Sequence, residues 1–397
     1  MQTLPKLLVL ASTYPRWAND TEPGFVHELS KRLTNDFEIH VLAPHSAGAK
    51  RKDLLNGVTI HRYRYAPDTF ETLVNGGGIL TNLKKQPWKL LLILPFIISQ
   101  FLNTLFLTFK LKPNTIHAHW IIPQGLIAAI VLQLYSGECK LVITSHGADI
   151  HSLRNKIFKW LKTFTVKKAS KIITVSNALK DILSHDTRIS ANKVQVLSMG
   201  VDLDHFSPDS QVLRKPNQAL FVGRFVEKKG LKHLIYALEI VKKEKPDLQL
   251  LLVGFGPEQN NIMQLISKLN LKDSVKLLGP VNQSELPNIY RESTVFIAPF
   301  VSASNGDQEG LGLVLVEAAG CYCPIVCGNV NAIHDVIKDN ETGLIVDPTN
   351  HKQLASAILT LLDDGSLRNR LSENAHQYCK TRFDWKHIAG IHKTLLS

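Results

Sequence analysis

Glu309 and Glu317 stand eight residues apart, separated by Gly310, Leu311, Gly312 and Leu313 and then by an apolar run. The preceding Ser304-Asn305-Gly306-Asp307 is turn-forming, and a turn followed by small glycines and apolar residues is how a loop feeds the N-terminus of a buried helix. Such an end presents free backbone N–H groups and the positive end of the helix dipole. Glycines at 310 and 312 carry no side chain, so a phosphate or sugar hydroxyl could approach the amides of Gly310, Leu311, Gly312 and Leu313. On a continuous helix rising ~1.5 Å per residue, Glu317 would lie about 12 Å beyond Glu309, and one ligand of nucleotide-sugar length could touch both. Taken alone, the two carboxylates fit an ordinary acidic helix as well.

Other residues with chemical capacity sit where strand-like runs end. Phe221-Val222-Gly223-Arg224 is followed by Glu227-Lys228-Lys229-Gly230. The cations Arg224 and Lys229 could neutralise a leaving diphosphate without a metal, the first through planar bidentate donors and the second as a mobile point charge. Thr144-Ser145-His146-Gly147-Ala148-Asp149 puts an imidazole at a strand edge and lets the backbone turn away at Gly147. Ile116-His117-Ala118-His119-Trp120 ends another strand-like run. With His117 and His119 expected on opposite or adjacent faces, and no carboxylate near in sequence, an acceptor-facing loop is expected there rather than a metal site. Asp202-Leu203-Asp204 could hold a divalent cation, but it falls in a linker and is read as structural. Gly254-Phe255-Gly256-Pro257 lacks the third glycine of a dinucleotide fingerprint, so no NAD site is expected. Cys321, Cys323 and Cys327 lie in an apolar stretch without a second ligand pair, and no metal is expected on them.

The elements that must position these groups alternate throughout. Strand-like runs at 6–10, 39–43, 58–65, 115–118, 141–144 and 171–175 are separated mostly by helical patterns. The rhythm restarts at 219–222 and continues through 248–253, 275–278, 295–298, 325–327 and 344–346. Alternation of this kind means parallel sheets covered on both faces, with ligands at the carboxyl ends of the strands. A length of 397 residues fits two such domains, with the boundary near 200. Five cysteines and a short apolar start indicate neither a disulfide scaffold nor a signal peptide, so a reducing, cytoplasmic compartment is expected.

The spacing Glu309-x7-Glu317 resembles the motif of the retaining glycosyltransferases of family 4, also called glycosyl transferases group 1. Gly223-Arg224 with Lys229-Gly230, about 80 residues earlier, and His146-Gly147-Ala148-Asp149 resemble further segments of that family. The resemblance spans almost the whole chain. It implies the α/β GT-B fold, two Rossmann-like parallel-sheet domains facing across a cleft: 1–200 for the acceptor, 201–380 for the nucleotide sugar, and 381–397 crossing back to the first domain. It also implies that Glu309 contacts the donor sugar, that His146 contacts it near the reacting carbon, both in catalytic roles, and that Glu317 holds the ribose hydroxyls. Arg224, Lys229 and the amides of residues 310–313 would take the diphosphate, Val281 the base, and Gly24 a further donor contact, although a plain helix-start glycine explains Gly24 equally. No metal is required, and the nucleotide-diphosphate sugar is a co-substrate rather than a cofactor. One departure stands out: Asn331, Ala332, His334 and Asp335 replace the usual Gly-Gly pair and Pro-Glu, so donor choice or local packing should differ there. Competing readings keep the fold but make the chain an epimerase or phosphorylase, or a catalytically idle scaffold that binds polysaccharide or membrane.

Charge bears on the partner. Residues 1–200 carry 25 Lys and Arg against 12 Asp and Glu, +13, whereas 201–397 carry 21 against 22, −1. Residues 154–193 alone hold ten cations against two acids. With no nucleic-acid module recognisable, the basic half points to an anionic membrane surface or a lipid diphosphate, or to a merely solvated face. Residues 90–109 are apolar for 20 residues. Ser99, Gln100, Asn103, Thr104 and Thr108 form one polar stripe, lysines flank the run, and Pro95 should kink it. A helix packed under the N-terminal sheet is expected first, one lying in the headgroup plane second, and a spanning helix last. The expected setting is a lipid-linked or polysaccharide acceptor at the inner face of the cell membrane, with peripheral attachment.

Overall fold

Strands rich in Leu, Ile and Val are buried on both faces only where helices cover the sheet twice, and the chain builds two such sheets. The computed structural model describes residues 4–397 apart from 19, 21, 23, 77 and 152–154. Pro23 and Arg154 therefore lie outside the described residues. The chain divides into two units, one of residues up to Leu197 together with Ile388–Ser397 and the other Ser198–His387.

The first unit runs β1 (Lys6–Leu10), α1 (Phe25–Arg32), β2 (Glu38–Pro44), β3 (Lys52–Leu55), β4 (Val58–Tyr63), α2 (Ile79–Lys85), α3 (Ile93–Leu111) and β5 (Thr115–His119). It continues with α4 (Leu126–Leu134), β6 (Lys140–Ser145), α5 (Ala148–His151), α6 (Lys156–Lys168), β7 (Lys171–Thr174), α7 (Asn177–Thr187) and β8 (Val194–Val196). Its sheet order is β3-β4-β2-β1-β5-β6-β7-β8. Every pairing is parallel except β3 with β4, a hairpin turned at Asn56-Gly57, both with positive φ. The order reverses direction between β1 and β5, the switch point at which parallel sheets hold ligands.

The second unit runs β9 (Gln218–Val222), α8 (Leu231–Glu244), β10 (Gln249–Val253), α9 (Gln259–Lys268), β11 (Val275–Gly279), α10 (Leu286–Glu292), β12 (Val295–Ala298) and α11 (Leu313–Gly320). Then come β13 (Ile325–Gly328), β14 (Leu344–Val346), α12 (His351–Asp363), α13 (Gly365–Phe383) and α14 (Trp385–Leu396), whose last turns belong to the first unit. The six strands are all parallel, in the order β11-β10-β9-β12-β13-β14, with the switch point between β9 and β12. Its core lies where β9, β10 and β12 meet α8, α9 and α12, around Phe221, Leu238, Leu252, Ile297 and Leu361.

Three expectations need correcting. The helix after the Glu309 loop begins only at Leu313, with Gly312 before it at φ 85°, so the two carboxylates do not share a continuous helix. Pro95 lies in the first turn of α3, after a 3-10 turn at Pro87–Leu92, where its missing N–H costs nothing, and it does not kink the helix interior. Finally, burial under the sheet accounts for one face of α3 only. Gln100, Thr104 and Thr108 are completely buried, whereas Leu94 is 66% and Phe106 60% exposed, so the polar stripe faces the protein and the apolar side faces outward.

Candidate active site

In the second unit the groups singled out by sequence come from the loops after β9, β11 and β12 and from α11. Arg224 is half-buried just beyond β9, and a 3-10 turn at Glu227–Lys229 follows it. Gly230 ends that turn at φ 67°, and a Cβ there would stand 1.7 Å from the carbonyl oxygen of Pro299, so only glycine lets the two loops approach. The three turn residues then grip the 301–309 loop in succession. Glu227 accepts from the backbone N–H of Ser304 at 2.7 Å and from its hydroxyl at 2.9 Å. Lys228 donates to Asp307 at 3.2 Å and to the Gln308 carbonyl at 3.0 Å. Lys229 pairs with Glu309 at 2.7 Å and lies 4.5 Å over the ring of Phe300.

The two carboxylates are thereby set to opposite electrostatic states. Burial would raise the pKa of Glu309, but Lys229, Lys228 and the Gly310 N–H hold it down to about 2. Burial raises Glu317 to about 7, with the Tyr290 hydroxyl, donating at 3.0 Å, and the charge of Lys229 only partly opposing it. Gly310, Leu311 and Gly312 lie in the loop that joins these carboxylates, and Leu313 opens α11. Gly312 makes that entry possible, since its left-handed φ excludes most side chains and a Cβ would sit 3.0 Å from Phe300. Val281 is half-buried in the loop after β11.

In the first unit, His146 leaves β6 half-buried among the rings of His119, Phe25 and Trp120, with centroids 5.2, 4.8 and 5.1 Å away. Gly24 is the N-cap of α1 at φ −92°, a conformation open to any residue, and is the neighbour of Phe25. His119 and His117 are two residues apart on one strand and share a face, contrary to the expectation from sequence. Their rings are 4.3 Å apart, both are buried, and His392 of α14 lies 6.2 Å from His117. They line the interior of the unit and not an exposed loop.

His119 Nδ1 is 2.9 Å from His146 Nε2, while His119 Nε2 is buried with no partner among the described residues. A buried N–H without an acceptor costs more than a lone pair without a donor, so the proton belongs on His119 Nδ1 and is donated to His146. His146 then carries its own proton on Nδ1. Burial pushes its pKa down to about 3, which keeps it a neutral hydrogen-bonding group. Asp149, given no role from sequence, accepts from the Ile121 N–H at 2.6 Å and the Ser145 hydroxyl at 2.7 Å, locking the loop after β5 to the loop after β6.

Among the described residues, candidate metal ligands are few. Asp202 receives the His205 N–H at 3.2 Å and Asp204 pairs with Lys386 at 2.6 Å, so the Asp-x-Asp serves the linker. His45, Asp68 and Glu71 form a set that could hold a metal ion, but Arg64 already pairs with Asp68 at 2.6 Å and Glu71 at 2.9 Å, and so occupies the place of a cation. Cys321, Cys323 and Cys327 are buried free thiols, Cys323 pushed up to about 12 by burial. Asn331 to Asp335 form a 3-10 turn after β13, with His334 bonded to Asn329 at 3.0 Å.

Comparison with known proteins fits this geometry. Residues 204–378 match the family described as glycosyl transferases group 1, and residues 25–205 match glycosyltransferase family 4. Over 282 residues, 67% of this chain and 70% of the relative, the sequence is 27% identical to the UDP-Gal:α-D-GlcNAc-diphosphoundecaprenol α-1,3-galactosyltransferase of Escherichia coli. Among solved structures, sucrose-phosphate synthase of Thermosynechococcus elongatus superposes with a TM-score of 0.80 at 20% identity, covering 98% of each chain. HepE of Anabaena, in complex with UDP and glucose, superposes at 0.74 with 18% identity, covering 98% of this chain and 99% of that one.

Proposed function

The chain belongs to glycosyltransferase family 4, as a retaining glycosyltransferase of GT-B fold that uses nucleotide sugars, and from this premise we propose that it transfers a sugar from a uridine-diphosphate sugar to a lipid-linked or polysaccharide acceptor in cell-surface polysaccharide synthesis. The observation that carries the donor chemistry is Lys229. One ammonium group pairs with Glu309, contributes to the charge balance of Glu317, and comes from the same loop after β9 as Arg224, five residues further along the chain. As the bond from the anomeric carbon to the diphosphate breaks and the bond to the acceptor oxygen forms, negative charge develops on the leaving phosphate. Arg224, Lys229 and the amides of residues 310–313 supply positive charge for it. The acceptor proton passes to the leaving phosphate, so no side chain has to act as a base. Glu317 accepts from ribose hydroxyls, Glu309 from the donor sugar, and neutral His146 donates through Nδ1 to the sugar. Gly24 and Val281 are further donor contacts. The Escherichia coli relative supports both the uridine nucleotide and the lipid diphosphate acceptor, and the HepE complex supports the nucleotide.

Thermal unfolding of the purified protein with a panel of nucleotide sugars tests the reading. A donor at ~100 times its dissociation constant adds about 2.7 kcal/mol. The stabilising donor, supplied with a lipid-diphosphate-linked sugar, should yield one product with retained anomeric configuration, and the reaction should persist in EDTA. Stabilisation by none of the uridine donors, or conversion of the donor without an acceptor, would sink it.

A further inference from the structure

We infer that the outward face of α3 is a membrane-insertion surface, lying along the hydrocarbon edge of an anionic bilayer with the lysines at its two ends on lipid phosphates. It goes beyond the proposed function, because attachment to lipid requires no sugar transfer.

The inverted sidedness of α3 is the first ground. In a soluble covering helix the apolar stripe faces the sheet and the polar stripe faces water. Here Thr104 bonds back to the Gln100 carbonyl and Thr108 to the Thr104 carbonyl, both at 2.7 Å, inside the protein. Outside, Leu91 is 78% exposed, and Leu94, Leu102 and Phe106 continue the same exposed face. Leu102, Phe106 and Phe109 also line a shallow apolar groove ending at Lys110. A contiguous exposed apolar surface of this kind marks an interaction site.

Charge decides the occupant. Between Glu71 and Glu138 there is no Asp or Glu. Lys84 and Lys85 precede the helix, Lys110 lies in its last turn and Lys112 caps its end, all exposed. Trp88, packed edge-on against Phe70, is half-exposed at the entry, where aromatic rings sit at a headgroup boundary. Two copies of the same face would bring like charges together, whereas phosphates complement them. The helical stretch Pro87–Leu111 is 25 residues long and apolar enough to cross a bilayer. Its inward face, however, is packed in the unit through Phe96, Leu107 and the buried polar stripe, so the helix lies along the membrane.

The test is flotation of the full-length protein with phosphatidylglycerol-containing vesicles and with pure phosphatidylcholine vesicles. We expect binding to the anionic vesicles, with a blue shift of Trp88 emission that a Trp88→Phe variant lacks. Each lysine at an anionic surface is worth about fivefold in binding. The variant Lys84→Ala/Lys85→Ala/Lys110→Ala/Lys112→Ala should therefore bind at least tenfold more weakly and lose its anionic preference. The variant Leu91→Ser/Leu94→Ser/Phe106→Ser changes only exposed side chains, so it should keep its fold and its nucleotide-dependent stabilisation while losing tenfold or more in vesicle binding. Retained binding in that variant overturns the proposal. So does a concentration-dependent dimer that the same variant abolishes in the absence of vesicles, which would make the face a contact between copies. Resistance to carbonate washing overturns it too, because the helix would then span.

Discussion

Lys229 sets two carboxylates apart because it forms an ion pair with Glu309 and only biases Glu317, and the difference predicts separable defects. Glu317→Ala should weaken UDP binding by about tenfold to hundredfold, the loss of hydrogen bonds to a charged group. Glu309→Ala should instead lower kcat by about a hundredfold with little change in nucleotide affinity, if it contacts the reacting sugar as proposed. Isothermal titration and steady-state kinetics on both variants check this, and unchanged turnover in Glu309→Ala would contradict it. Acidity separates them as well. In the folded chain Glu317 titrates at about 7, above its ordinary value of 4.5, so between these pH values the folded state holds more protons than the unfolded one. Its contribution to stability therefore declines as pH rises from 4.5 to about 7 and is flat above. Glu309, held at about 2, contributes stability above pH 4.5 that is lost as pH falls toward 2. In the proposed role a ribose hydroxyl would donate to the ionised form of Glu317, so UDP affinity should rise with pH up to about 7 and then level off. In Glu317→Gln that rise should vanish, and its persistence in the variant would place the titrating group elsewhere.

Most of the strands, though not β3 or β8, were legible in the sequence because parallel strands buried on both faces are short continuous runs of Leu, Ile and Val, as at Lys6–Leu10 and Leu344–Val346. Cations and carboxylates fall after β9 and β12, at the switch point, so their neighbourhood followed from position alone. What escaped depended on contacts distant in sequence. Tyr290 is 27 residues from the Glu317 it bonds, and His119 is 27 from His146. Asp149 lies 28 from Ile121. Two misses did have a local signal: Asn56-Gly57 marks the β3–β4 hairpin, and the i, i+2 spacing of His117 and His119 puts both on one face of a strand. The sense of α3 had none, since periodicity reveals a stripe but not which side meets the protein. Gly230 shows how far the loop geometry rests on one backbone position. Its φ of 67°, and a Pro299 oxygen that would stand 1.7 Å from any Cβ, leave no room for a methyl group. Gly230→Ala should therefore cost about 2 kcal/mol or more of stability, beyond the ~1 kcal/mol that a left-handed φ alone imposes. It should also lower donor affinity, because Lys229 moves with the turn. Chemical denaturation and UDP titration of the variant would show both, and a stability equal to the parent would refute the argument.

At the scale of the whole chain, the two units differ in charge and in connectivity. The first carries the basic excess and is completed by the last ten residues, after the second unit has been threaded. Those ten residues are built in. Ile388 and Leu396 are almost fully buried, His392 is completely so, the Leu396 carbonyl receives the Thr115 hydroxyl at 2.8 Å, and Lys393 pairs with Asp36 at 2.6 Å. Burial of each of the two aliphatic side chains contributes about 1.5–3 kcal/mol, so removing residues 388–397 should cost the first unit about 3–6 kcal/mol. Such a loss is comparable with the whole stability of an ordinary domain. The groups proposed for the nucleotide, Arg224, Lys229, Val281 and Glu317, all lie in 198–387. Calorimetry of the truncated protein should therefore show the transition of the first unit displaced downward or lost, while a second transition remains and still moves upward with UDP. An unfolding profile identical to that of the full chain would mean that the terminal turns of α14 do not complete the first unit.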